Sequence, residues 1–272
     1  MTWLEAAILG LIQGLTEFIP VSSDGHLSAA EMLIPGFGQV GLLFDVLAHV
    51  GTLAAILVYY RKLLAREARG LVASNHAERR SAWGLIALLL AATIPTAVVG
   101  LALKPHVEAA KLRPGFVGAM EILTGLVLAL SALRRGGAKD RNTMPYLDAV
   151  LIGVAQGFAV LPGLSRSAST IAVGLALGLT ARWAADYAFL LAIPAILGAA
   201  GLEIVSALRL QGTAFFATPD FGKYLLAAAV AGITGYATIG FLIRIVSSRR
   251  VHWFAIYCFL FGLALILFFP RR

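Results

Sequence analysis

The sequence predicts an all-α integral membrane protein, with six transmembrane helices and two re-entrant helical hairpins in an inverted-topology repeat, forming a single membrane domain over residues 1–272. Three observations lead there. Hydrophobic residues make up 60% of the chain and charged residues only 13%, about half the charge of a soluble domain. Six stretches are apolar over the roughly 20 residues that a crossing helix needs. Two further apolar regions are broken in the middle by proline, serine and ionisable side chains.

This composition excludes an ordinary cytosolic enzyme and a nucleic-acid-wrapping protein. The net charge of +8 is what the cytoplasmic loops of a membrane protein carry. The single Cys258 excludes a disulfide framework and a cysteine-based zinc site.

Taken in order, Met1 to Glu5 lack the basic flank of a signal peptide, so residues 1–20 are expected in the mature fold. Region 3–34 breaks at Glu17, Pro20 and Ser22-Ser23-Asp24-Gly25-His26. Spans are expected at 42–60, 83–103 and 116–133. Region 147–180 breaks at Pro162-Gly163-Leu164-Ser165-Arg166-Ser167, and spans follow at 184–206, 224–246 and 251–269. The arms of each broken region are about a dozen residues long, too short to cross. Irregular backbone at membrane depth survives only inside protein or beside a wet cavity, so both regions are read as hairpins with their tips inside the bundle.

The broken regions resemble one another at an offset of 143 residues: Gly10/Gly153, Gln13/Gln156, Gly14/Gly157 and Ser22/Ser165 are identical. Repeat one covers about 1–133 and repeat two about 147–269. Three crossings separate the copies, which inverts the second relative to the first. Arg61, Lys62, Arg66, Arg69, Arg79 and Arg80, then Arg134, Arg135, Lys139 and Arg141, then Arg249 and Arg250, fall on one face, which is expected to be cytoplasmic. The mouth of the first hairpin then opens outward; the terminal Arg271-Arg272 dissents.

The tips carry the chemistry. Gln13 and Glu17 share a helix face. Ser22, Ser23 and Asp24 suit the start of a second short helix, whose free N–H groups would favour an anion. Ionisable groups inside a membrane point to function. In the second tip Arg166 offers a planar fork for phosphate oxygens, with Ser165, Ser167, Ser169 and Thr170 beside it. Together these parts suit metal-assisted hydrolysis of a phosphoanhydride. A hard cation, Mg²⁺ or Ca²⁺, would take oxygen from Glu17, with Asp24 a second ligand, and Arg166 would stabilise the phosphoryl charge. Spacing leaves the attacking group open: Ser23 or His26 could attack, or His26 could activate a serine or water.

These motifs resemble the undecaprenyl-diphosphate phosphatase (bacitracin-resistance) family from end to end. Residues Gln13 to His26 match its first signature, Pro162 to Ser167 with Thr170 its second, and Phe44-Asp45-Val46 with Gly51-Thr52-Leu53 a third stretch. The resemblance implies hydrolysis of undecaprenyl diphosphate to undecaprenyl phosphate and inorganic phosphate, recycling the carrier for peptidoglycan, in the bacterial cytoplasmic membrane. It ties Glu17 to a divalent cation and puts Ser22, Ser23, His26, Ser165 and Arg166 on active-site positions. Asp24 replaces a threonine common in the family and Ala168 a glycine; Gln13 replaces the first glutamate, which takes away one carboxylate ligand and leaves Gln13 itself as a candidate metal ligand beside Glu17 and Asp24. The expected partners are the lipid substrate, the surrounding membrane lipids and a second copy of the chain in a homodimer, with no nucleic acid. The alternative is a polyprenyl-phosphate transporter or flippase, since broken helices in inverted repeats are transporter architecture.

Other polar residues are given structural readings. His49 and Asp45, four apart on one helix face, could line the cavity but are read first as a hydrogen-bonded pair. Glu121 and Glu203 are single acids in apolar spans, Arg182 and Asp186 an interface, and Gly232 and Gly235 close helix packing.

Overall fold

Long apolar runs cannot leave backbone groups unpaired in lipid, so helices are the available solution. The computed structural model describes residues 1–33, 42–111, 113–133, 137–248 and 250–269. Among the described residues all regular structure is helical, apart from an isolated bridge between Lys139 and Leu179. Arg134, Arg135, Arg249, Arg271 and Arg272, counted above in the charge pattern, lie outside the described residues.

Among the described residues, five helices are long and apolar enough to cross a membrane: α3 (Leu42–Tyr59), α5 (His76–Lys111), α6 (Pro114–Ala132), α9 (Ala181–Gln211) and α10 (Phe221–Ser247). The sixth expected span is α11 (His252–Phe268), apolar but 17 residues long. The segment 61–82, expected as a loop, contains α4 (Arg61–Gly70). Leu63 and Leu64 pack against the main core while Arg61, Arg66 and Arg69 face outward, so the segment is amphipathic and helix is favoured over loop.

Each broken region is a pair of short helices. The first is α1 (Trp3–Thr16) and α2 (Ser23–Leu33), and the second is α7 (Tyr146–Phe158) and α8 (Arg166–Ala176). Thr2 and Glu5 form a reciprocal capping box at the start of α1. Ser165 caps α8, its Oγ accepting from Ala168 N at 3.2 Å. The aligned Gly10 and Gly153 now have a reason in common. A β-carbon on Gly10 would run into the backbone of Ala227 in α10, and one on Gly153 into the backbone of Ala92 in α5. Only glycine allows that approach. The largest core cluster draws Phe18 from the first break, Ile56 from α3, Phe189 from α9 and Leu242 from α10 around one centre.

Candidate functional site

Glu17 follows the last turn of α1, and three donors converge on its carboxylate. Gln13, one turn earlier on the same face, donates from Nε2 to Oε2 at 3.1 Å. Ser23, at the first position of α2, donates from Oγ to Oε2 at 2.7 Å. Arg166 of the second break donates from Nη2 to Oε1 at 2.6 Å. The two breaks therefore meet, joined by a charge-assisted bond between residues 149 apart in sequence. Nη1 of the same guanidinium is buried and has no hydrogen-bond partner.

Ser22 makes the turn between the arms with φ of +63°, a left-handed conformation that non-glycine residues adopt at a cost and that clusters at functional sites. Its Oγ accepts from Gly25 N at 3.3 Å, and its carbonyl accepts from His26 N at 3.3 Å. Strain and capping together bring the N-terminus of α2 to the same place as that of α8. In the second break Thr124 of α6 clamps the turn, donating to Gly163 O and accepting from Ser165 N, each at 3.0 Å.

These groups face a cavity of about 440 Å³. Its floor holds Glu17, Ser22, Ser23, Asp24, Ser165 and Arg166. A second polar patch is formed by Thr93, Thr96 and Gln156, and the rim by Asp45, Lys104, Lys111 and Glu203. Lys111 and Asp45 pair across the rim at 3.7 Å.

Of the residues singled out in the sequence, Gln13, Glu17, Ser22, Ser23, Asp24, Ser165 and Arg166 are brought together at or beside this floor. Ser167 and Thr170 are not. The Ser167 hydroxyl reaches back to Ser165 Oγ at 3.2 Å, and Thr170 donates to Arg166 O at 2.9 Å within its own helix. His26 also points elsewhere. Its Nδ1 lies 2.8 Å from Ser22 O, and a carbonyl only accepts, so Nδ1 carries the proton. Nε2 lies 2.6 Å from Tyr257 Oη and is paired with it. The ring stacks on Phe261 of α11 with centroids 4.2 Å apart and does not line the cavity.

The imidazole that faces the cavity is His49, read from sequence as a structural pair with Asp45. Its Nδ1 donates to the Asp45 backbone carbonyl at 2.8 Å, which leaves Nε2 directed at Glu17 Oε2, 3.7 Å away. The i, i+4 spacing that suggested a closed pair was the available signal, but it is the carbonyl and not the carboxylate of Asp45 that takes the ring. Glu203 is at the rim, Asp186 accepts from Arg182 and Tyr60 at 2.7 Å each, and Glu121 is fully buried with both carboxylate oxygens unpartnered.

Among the described residues, no three His, Cys, Asp or Glu side chains gather closely enough to hold a metal by themselves. The oxygen donors present still suit a hard cation. Gln13 Oε1 is buried beside Glu17 without a donor, and its orientation is fixed because Nε2 must face the carboxylate. An amide oxygen, one or two carboxylates and substrate oxygens form the kind of set Mg²⁺ takes at phosphate sites.

The chain matches the family model of the bacitracin resistance protein BacA over residues 6–264. It is 41% identical over 265 residues to the undecaprenyl-diphosphatase of Syntrophotalea carbinolica, covering 96% of this chain and 97% of the relative. It is 44% identical over 269 residues to that of Desulfosudis oleivorans, covering 95% and 96%. To that of Carboxydothermus hydrogenoformans it is 38% identical over 267 residues, covering 98% and 97%.

Proposed function

The chain belongs to the bacitracin resistance protein BacA family, and from that premise we propose that it is an integral-membrane phosphatase that hydrolyses undecaprenyl diphosphate to undecaprenyl phosphate and inorganic phosphate. The observation that carries the reading is Arg166 Nη1, a buried guanidinium donor without an acceptor at the floor of the cavity. A terminal phosphate oxygen supplies that acceptor, while Nη2 stays on Glu17. N–H groups of the first turns of α2 and α8 add positive potential at the same floor.

Ser23 is the attacking group this geometry favours. Its Oγ–H already points at Glu17 Oε2. Attack on the terminal phosphorus forms an Oγ–P bond and breaks the bridging P–O bond, and prenyl phosphate leaves with the bridging oxygen. Glu17 takes the serine proton, assisted by His49 Nε2 beside it. Water then cleaves the phosphoserine, releasing inorganic phosphate and returning the proton to Ser23. A divalent cation, Mg²⁺ or Ca²⁺, would be held by Glu17, Gln13 Oε1 and Asp24; it would supply further neutralisation of phosphate charge.

We extend the proposal to the membrane arrangement. Helices α1, α2, α7 and α8 have 14, 11, 13 and 11 residues, at 1.5 Å each too short for a core about 30 Å thick. This supports two re-entrant hairpins, with α11 as the sixth span and the repeats inverted. The rim residues Asp45, Lys104 and Glu203 stand at the opposite helix ends from α4 and Lys139 to Arg141, so the positive-inside rule supports a cavity open to the outer face. The transporter alternative has no support in the relatives' names.

The test is phosphate release from undecaprenyl diphosphate by the detergent-purified protein with added divalent cation. Release that stops with chelator is expected; no release under any cation would overturn the reading.

A further inference from the structure

Between the polar floor and the charged rim, the cavity wall is apolar and open at one side. Helices α5 and α9 share a core along their N-terminal halves. There Tyr187 Oη donates to Leu88 O at 2.7 Å, and Ala92, Ala184 and Leu191 pack around them. Seven residues beyond each partner of that bond stands a proline, Pro95 in α5 and Pro194 in α9. A proline inside a helix removes one hydrogen bond and bends the axis. Past the two prolines, Ala97, Gly100 and Leu101 face the cavity from α5, and Gly198, Ala199 and Leu202 from α9.

The two glycines there do not serve helix packing. A β-carbon at Gly100 or Gly198 meets no atom within 4 Å, whereas one at Gly10 or Gly153 would strike backbone. An interior helical glycine is less favourable than alanine, and here that cost secures only empty space. Leu101 and Leu202 line the cavity and are 53% and 49% exposed, the exposure expected of side chains that border both a cavity and the outer surface. The wall is thus a lateral slot. Its inner end is polar: Gln156 is 4% exposed, lines the cavity and leaves Oε1 buried without a partner. The amide orientation is fixed, because Thr96 Oγ1 donates to Ala92 O and Gly153 O and therefore accepts from Gln156 Nε2.

An occupant that reaches from the polar floor, along an apolar slot, into the bilayer is a lipid with a phosphorylated head. We infer that the slot between α5 and α9 seats the first isoprene units of the substrate, and that Gly100 and Gly198 set its width. This rests on the phosphatase reading and adds the path of the chain to it.

The experiment places cysteine at Gly100 and at Gly198 and follows maleimide labelling of the purified protein. Cys258, the only native cysteine, is buried. A methylene-bridged, uncleavable undecaprenyl diphosphonate is expected to slow labelling at both positions about tenfold, and methylenediphosphonate, which has no chain, to leave it unchanged. Gly201→Cys is the control: its β-carbon also meets nothing within 4 Å, and it does not line the cavity. Gly198→Phe should keep the wild-type melting temperature and lose about tenfold or more in kcat/KM on undecaprenyl diphosphate. If wild type releases phosphate but the lipid analogue does not protect Gly100→Cys and Gly198→Cys, or Gly198→Phe is fully active, the slot is overturned and the phosphatase reading stands. If wild type releases none, the reading beneath it fails.

Discussion

Arg166 and Glu17 share a 2.6 Å hydrogen bond that joins the two chain breaks, and the bond uses only one of the two terminal nitrogens of the guanidinium. The other, Nη1, is buried and unpartnered. A fork with one prong on a carboxylate and one free is suited to bridge that carboxylate to a phosphate. Lysine cannot do both with fixed geometry. Arg166→Lys is therefore expected to lose about a hundredfold in kcat/KM, comparable to removal of one oxyanion donor. Steady-state phosphate release checks this, and wild-type activity in the lysine variant would remove Arg166 from phosphate binding.

Ser23 is bonded to Glu17 at 2.7 Å and lines the cavity. Ser23→Ala is expected to reduce turnover by about a thousandfold or more, and rapid quenching of wild type with a substrate labelled in the terminal phosphate should trap label on Ser23. Label absent from protein, together with substantial activity in Ser23→Ala, would assign the attack to water.

The two histidines should separate. His49 presents Nε2 to the cavity beside Glu17, so His49→Gln is expected to lower kcat by about tenfold to a hundredfold and to alter the pH–rate profile. Both nitrogens of His26 are occupied, by Ser22 O and Tyr257 Oη. Asparagine can still donate to Ser22 O. His26→Asn should therefore retain activity within about tenfold of wild type, with His26→Ala falling further because the left-handed Ser22 turn loses its anchor. Equal inactivation by both substitutions, with one limb of the profile gone, would mean that His26 acts on the substrate directly.

This contrast marks what could be read from sequence. Polarity at membrane depth located both breaks, and the presence there of two ionisable candidates, Glu17 and Arg166, was legible because such groups inside a membrane point to function. The direction of a side chain was not. His26 turns toward Tyr257, 231 residues away, and nothing near position 26 encodes the packing of α11. Ser167 and Thr170 satisfy nearby serine and backbone groups, a choice that serines and threonines make from local geometry. Helix boundaries slipped for a simpler reason. The expected span 83–103 is one part of α5, whose ends at His76 and Lys111 extend through polar sequence.

The amphipathic α4 gives a prediction outside the membrane. Arg141 grips Glu67 with two bonds, 2.7 Å from Nη1 and 2.6 Å from Nη2, and Nη2 also reaches Ser81 O at 2.6 Å. Glu67 is only 9% exposed, and the Arg141 hydrogen bonds hold its carboxyl below the usual carboxylate range, against the opposing effect of burial. A carboxyl whose folded value lies below its unfolded value adds stability that is fully present above the unfolded value and is lost as pH falls through the folded one. Melting in detergent should therefore drop as pH is lowered from neutral through the usual carboxylate range, about pH 4, and below. Glu67→Gln should cost about 1–3 kcal/mol at neutral pH and flatten that acid limb, because glutamine cannot titrate. Arg141→Ala should destabilise as much or more, since it leaves the buried Glu67 carboxylate held only by the exposed Arg66. An acid limb of unchanged size in Glu67→Gln would show that other carboxylates, and not this link between α4 and the segment before α7, set the acid stability of the protein.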